Sequence, residues 1–274
     1  MLKTRVITAL VLLAVFLPVT LFAPVAAFGA LIGVVVVFAA WEWARLLKAG
    51  ATGSIAYAVV AAAVVALSTR LPTSRPLFQA AGVFWIIAGP YVLLRKPVLA
   101  AGAWRAFLLA AGVVLFAACW HALVAARTAS VAFVLSLLLV VWLADIGAYF
   151  AGKAFGKHKL APAISPGKTW EGAVGGWAAV MVLSGAAIAL HAFEPTLYSA
   201  LAAQIGLGRA LFVLTVLVAF SVIGDLFESM LKRQAGVKDS SGLLPGHGGV
   251  LDRIDALLPV LPLAMLLLRP EAFG

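Results

Sequence analysis

Only ten carboxylates occur in 274 residues, and five of them, Asp225, Glu228, Asp239, Asp252 and Asp255, fall between positions 225 and 255. Asp225, Glu228, Ser229 and Lys232 are spaced i, i+3, i+4 and i+7, so on a helix two acids, a hydroxyl and a cation share one face. Asp252 and Asp255, at i and i+3, share a face of their own. Oxygen donors on two neighbouring helices suit a hard cation such as Mg²⁺. Taken singly, each acid has a plainer reading, as a charge neutralised by a neighbour at a membrane surface. The segment joining the two sets holds Lys238, Asp239, Gly246, His247, Gly248 and Gly249, just after Lys232 and Arg233. Glycines let the backbone approach a ligand and turn amides toward an anion, and the cations beside them suit a polyphosphate. His247 alone would be a structural or solvated histidine. At the mouth of an acidic cluster it is a candidate contact for a substrate or leaving group.

A second polar segment follows Asp145: a basic run to Lys159, then Ser165-Pro166-Gly167-Lys168-Thr169-Trp170-Glu171-Gly172. Gly167-Lys168-Thr169 imitates the end of a P-loop, but Pro162 stands where the earlier glycine is required and no strand precedes it, so a Walker motif is rejected. What remains is Ser165 or Thr169 capping a helix with Glu171 in its first turn, leaving free amides beside Lys168 for a phosphate. The plainer alternative is a basic loop touching anionic lipid. Gly172 and Gly176 form a GxxxG that reads as helix packing.

The elements that must carry these groups are membrane helices. The chain is 65% hydrophobic and 11% charged with a mean hydropathy of +1.13, which excludes a water-soluble globule. At about 20 residues per span, that apolar content allows eight or nine crossings. Nine apolar runs are found, at 6–23, 25–44, 55–69, 77–94, 106–126, 129–150, 172–193, 210–231 and 251–268. The predicted fold is all-α, a polytopic transmembrane bundle of about nine spans. It divides into helices 1–5 (residues 1–128) and a catalytic set 6–9 with two cytoplasmic loops (residues 129–274), within one integral domain. The charged start and Ala26-Ala27-Phe28-Gly29-Ala30 imitate a signal peptide, but the apolar run continues through Pro18 and Pro24 into a second span. With the amino terminus inside, 15 of the 20 Lys and Arg residues fall on the inner side and 5 outside, the positive-inside pattern. The carboxyl terminus, Gly274, is then expected outside, and both polar segments inside. The net charge of +10 therefore reads as cytoplasmic loops and a phosphate-bearing substrate, with no nucleic-acid partner. A single cysteine, Cys119, and four histidines exclude an internal disulfide and a cysteine-rich zinc site.

Ser229-Met230-Leu231-Lys232-Arg233, Lys238-Asp239 and Leu244-Pro245-Gly246-His247-Gly248-Gly249-Val250-Leu251-Asp252-Arg253-Ile254-Asp255 together resemble the signature of the phosphatidate cytidylyltransferase (CDP-diacylglycerol synthase) family, without departure over residues 229–255. Asp145-Ile146-Gly147-Ala148-Tyr149 and the 165–172 segment are also similar to that family, so the resemblance covers spans 6 to 9. It implies a polytopic inner-membrane enzyme with its site facing the cytoplasm, in contact with membrane lipid and with CTP and phosphatidate as substrates. The products are CDP-diacylglycerol and pyrophosphate, and the enzyme is expected to be a homodimer that depends on Mg²⁺, alone or with a second cation. On this resemblance Asp225, Asp252, Asp255, Lys232 and His247 are the expected catalytic groups. Asp225, Asp252, Asp255 and Asp145 are the expected metal ligands. Lys168, Arg233, Lys238, Asp239, Gly248, Gly249, Ser165 and Thr169 are expected to bind the nucleotide. The competing classes are an anion transporter, whose repeated second half is missing here, and another lipid-phosphate transferase, whose aspartate-rich spacing is not found.

Overall fold

The structure is a computed structural model that describes residues 2–268. Gly274, and with it the expected outside position of the carboxyl terminus, lies outside the described residues. Among the described residues, eight helices or helix pairs are long and apolar enough to cross a membrane. They are α1 (Leu2–Phe22), α2 (Val25–Leu46), α3 (Gly50–Ser68), α4 (Arg75–Val83) continued by α5 (Gly89–Arg95), α6 (Gly102–Ala129), α7 (Val131–Phe155), α8 (Trp170–Ala189) and α10 (Leu207–Ala235). Between α4 and α5 the turn Phe84–Ala88 is π-helical. Pro90 follows it and lacks the N–H that a regular turn would use.

The ninth apolar run is not one helix. It is a short turn, α11 (Leu251–Ile254), and an eleven-residue helix, α12 (Leu257–Leu267), with Pro262 inside. Their two ends show how they lie. Lys232 near the end of α10 pairs with Asp252, while Gln204, just before the start of α10, donates to the Leu267 carbonyl at 3.0 Å. The broken segment therefore runs antiparallel to α10 along most of its length. Every side chain from Leu257 to Met265 is buried, so α12 is the centre of the bundle, packed by α10, α4, α6 and α7. A helix apolar all round belongs in such a place.

Two features aim the polar groups. Phe227 on α10 stacks on Trp43 of α2 at 5.9 Å and meets Trp85 edge-on at 5.5 Å, which turns the neighbouring Asp225 and Glu228 along the helix toward α11. Helices α7 and α8 are in backbone contact: a Cβ at Gly176 would lie 2.3 Å from the Ala144 carbonyl oxygen, and one at Gly172 would lie 2.9 Å from that of Ala148. The GxxxG is thus a packing motif, and it sets Asp145 of α7 beside the start of α8.

The expectation of a purely helical chain needs one amendment. Lys159–Ala161 (β1) and Ser165–Thr169 (β2) pair antiparallel, Lys159 with Thr169 and Ala161 with Ser165. A short helix that the sequence reading did not predict, α9 (Leu197–Ile205), starts at a Thr196–Ser199 capping box.

Candidate functional site

The β1–β2 hairpin, the carboxyl ends of α7 and α10, the amino end of α8 and the loop 236–250 meet at one end of the bundle. The Arg233 Nε donates to the Ile164 carbonyl at 3.3 Å, tying the hairpin turn to α10. Glu171, in the first turn of α8, accepts from the Lys157 and His158 amides at 3.1 and 3.2 Å and pairs with His158 Nδ1 at 2.6 Å. Thr169 is the N-cap, its hydroxyl accepting from the Gly172 amide at 3.1 Å. Of the two predicted caps, then, Thr169 acts and Ser165 is a strand residue. With the hairpin latched, Lys168 projects across to α10 and its Nζ meets Asp225 Oδ2 at 2.6 Å. Ser229 donates to the other oxygen of Asp225 at 3.2 Å.

This pair sits in a cavity of about 440 Å³ lined by α7, α8, α10 and the hairpin, with Asp145, Lys153, Lys168, Thr169, Ser221 and Asp225 among its polar groups. Gly152, Gly172 and Gly176 form the wall where α7 and α8 touch, and Val218 and Val222 line its apolar side. The cavity therefore joins charge to an apolar flank.

A second layer lies against it. Lys232 reaches from α10 to both Glu228 on its own helix and Asp252 Oδ1, the latter at 2.6 Å. The other oxygen of Asp252 accepts from the Ser240 amide at 2.9 Å, the Ser240 hydroxyl at 2.9 Å and the Gly249 amide at 2.7 Å. Asp255, one turn on, accepts from the Ala256 amide at 2.8 Å, and its backbone crowds Gly224 of α10, where a Cβ would lie 2.5 Å from the Asp255 carbonyl oxygen. So the helix-face reading holds: Asp225 and Glu228 on one helix face Asp252 and Asp255 on the other, with Lys232 between.

The glycines behave differently from expectation. Gly249 does turn its amide to an anion, but that anion is the Asp252 carboxylate. A Cβ there would lie 2.1 Å from Ser240 Oγ and 2.4 Å from Glu42 Oε1, so the position is glycine because two protein side chains fill the space. Gly248 has φ +81 and its added Cβ would lie 2.6 Å from Asp252 Oδ2. Arg233, expected at a phosphate, gives its Nε–H to the hairpin, which leaves the other four N–H groups of the guanidinium for a ligand. Lys238, Asp239 and His247 line a separate cavity.

One residue was missed. Glu42 of α2 is fully buried, and its carboxylate accepts from the Ser240 hydroxyl at 3.0 Å, the Ser241 hydroxyl, the Val250 amide at 3.0 Å and the Leu251 amide at 2.6 Å. It caps α11 and shares Ser240 with Asp252, so the amino-terminal half of the chain fixes the 236–250 loop of the other half. In the sequence it is a lone acid between two tryptophans, with partners about 200 positions away; no local spacing announces it.

For a metal, the donor set is right in kind. It is all oxygen, and Glu228 Oε1 is buried without a hydrogen-bond partner, an orphaned atom that a cation satisfies. The donors are not drawn together as a finished site: among the described residues no three such groups are close enough to hold an ion as they stand. Lysines occupy Asp225 and Asp252 instead.

These features define a multi-pass membrane protein with a carboxylate- and lysine-lined site at one end of its helices. Residues 3–270 match the model of the cytidylyltransferase family, and the chain belongs to it; it is a nucleotidyltransferase. A phosphatidate cytidylyltransferase of Pseudomonas aeruginosa is 42% identical over 280 residues, covering 100% of this chain and 99% of that protein. One of Haemophilus influenzae is 52% identical over 128 residues, 47% of this chain and 42% of that protein. One of Staphylococcus saprophyticus is 44% identical over 142 residues, 52% and 51% of the two chains.

Proposed function

We propose that this chain is the enzyme that joins CTP and phosphatidate to give CDP-diacylglycerol and pyrophosphate, and that the Lys168–Asp225 cavity is where the bond forms. The single observation that carries the placement is the 2.6 Å contact between Lys168 on the hairpin and Asp225 on α10, in a cavity with a charged end and an apolar flank. A phosphate entering it takes Lys168 as its partner and leaves Asp225 free for a cation.

An oxygen of the phosphatidate phosphate attacks the α-phosphorus of CTP in line. The new P–O bond joins lipid phosphate to CMP, the bond from the α-phosphorus to the bridging oxygen breaks, and the electron pair leaves with pyrophosphate. No protein nucleophile is needed, so the residues work by positioning and charge. Lys168 holds a phosphate oxygen, and Lys232 is held by Glu228 and Asp252 facing the same centre. Lys238, Asp239 and His247 act on the nucleotide from the loop, with Gly248 and Gly249 shaping it. Asp225, Asp145 and Asp255, with Asp252 beside them, are the acids that would hold Mg²⁺, which when bound supplies charge neutralisation of the phosphates.

The same reading makes α11 and α12 a ninth span and puts the site on the cytoplasmic side of the inner membrane. The inner-side cations support it: Lys3 and Arg5, the hairpin lysines and the 236–250 loop all lie at one end of the bundle, where Thr8 of α1 donates to the Pro245 carbonyl at 2.8 Å. A homodimer rests on the family resemblance. The test is direct. Purified protein in proteoliposomes should convert radiolabelled CTP and phosphatidate into labelled CDP-diacylglycerol, and no lipid-soluble label at all would refute the reading.

A further inference from the structure

A second cavity, of about 780 Å³, lies beside the loop and shares no lining residue with the first. Arg5, Lys238 and Arg253 line it, with His247 and a single acid, Asp239. Among the described residues none of the three cations is in an ion pair with a carboxylate, although carboxylates are close by. His247 Nδ1 is buried and has no hydrogen-bond partner. An excess of positive charge outside ion pairs around a concave space is an anion site.

Arg5 comes from the other end of the sequence, and its placement is built. Thr8, three residues along α1, donates to the Pro245 carbonyl at 2.8 Å. Gly246, at φ +76, lets the Arg5 side chain lie against the loop, and a Cβ there would come within 2.9 Å of Arg5 Cγ. The first helix thus closes the cavity with a cation that the loop does not supply.

We infer that this cavity holds the terminal phosphates of the nucleotide and the pyrophosphate they become, and that Arg5 of the first helix is one of their binding residues. This rests on the nucleotidyl-transfer reading above. The loop lines only this second cavity but is tied through the Ser240 and Gly249 amides to Asp252, which holds Lys232 beside the first, so a triphosphate with its reacting phosphorus toward Lys168 would turn its leaving end toward Arg5. Pyrophosphate, with charge spread over two phosphates, matches three cations better than one lipid phosphate does.

The test is binding of inorganic pyrophosphate to the full-length protein in neutral detergent without added phospholipid, at fixed Mg²⁺, by calorimetry. Arg5→Gln should weaken it about tenfold, the loss of one charge-assisted contact, while Arg5→Lys, which keeps a point charge for the phosphate, loses less. Turnover gives the second arm: Arg5→Gln should raise KM for CTP and the inhibition constant of pyrophosphate together and leave KM for phosphatidate unchanged. Unaltered pyrophosphate affinity in Arg5→Gln, or equal damage in Arg5→Lys, overturns the inference. Displacement of bound pyrophosphate by dispersed phosphatidate, with KM for phosphatidate rising in Arg5→Gln, assigns the cavity to the lipid headgroup and also overturns it. A wild-type protein that makes no CDP-diacylglycerol would defeat the underlying reaction instead, whatever pyrophosphate does.

Discussion

Glu42 supports the 236–250 loop and the start of α11 through four hydrogen bonds to a carboxylate sealed from solvent, and its removal is the sharpest test of how the two halves of the chain cooperate. Glu42→Ala leaves the Val250 and Leu251 amides without their acceptor. An unsatisfied buried donor costs about 1–3 kcal/mol, so the two together cost roughly 2–6 kcal/mol. That cost falls on the segment that holds Asp252, because Ser240 bridges Glu42 and Asp252. The segment can relieve it by moving, which pulls Asp252 off Lys232. Since about 1.4 kcal/mol is a factor of ten, a loop displaced at this cost lowers kcat/KM by at least about thirtyfold. Glu42→Gln keeps one carbonyl oxygen and turns an amide group toward backbone donors, so it should fall between the alanine variant and wild type. The assay is steady-state turnover alongside hydrogen exchange at residues 250 and 251. Wild-type kcat/KM in Glu42→Ala, with undiminished protection of those two amides, would refute the reasoning.

The remaining expectations follow from single contacts. Lys168→Gln removes a charge-assisted contact of about 1.5–3 kcal/mol, so kcat/KM should drop about ten- to a hundredfold while the preference for CTP over dCTP, read from parallel kinetics, does not move. Gly249→Ala has no room beside Ser240 and Glu42, and should both lose activity and unfold at lower temperature in a detergent melt. For topology, Cys119 is buried and gives a silent background, so a membrane-impermeant thiol reagent added to intact cells should miss His247→Cys and label it only after permeabilisation.

Much of this architecture was readable because a membrane span announces itself as an apolar run. The stretches at 25–44 and 129–150 correspond to α2 and α7 within a few residues, and even the short Ala/Val-rich third run is a full helix, Gly50–Ser68. The run at 251–268 is apolar throughout but holds Asp255, Pro259 and Pro262, and the chain breaks between Ile254 and Leu257. Strands of three and five residues in a segment rich in Pro, Gly and Lys leave no periodic signal, so the hairpin that presents Lys168 was invisible. The facing acids on α10 and α11 were legible because helical spacing is local. Glu42, the placement of Arg5 and the Arg233–Ile164 contact were not, because each joins residues far apart in the chain.

The central claim is that the lipid phosphate displaces pyrophosphate directly from CTP, with the protein supplying position and charge and no covalent bond. The stereochemistry at the α-phosphorus tests it in one measurement. Purified enzyme in vesicles is given phosphatidate and the Sp isomer of CTP carrying sulfur on that phosphorus, and the configuration of the thio-CDP-diacylglycerol is read by phosphorus NMR. A single in-line displacement predicts inversion; retention would mean a nucleotidylated protein intermediate and would contradict the account.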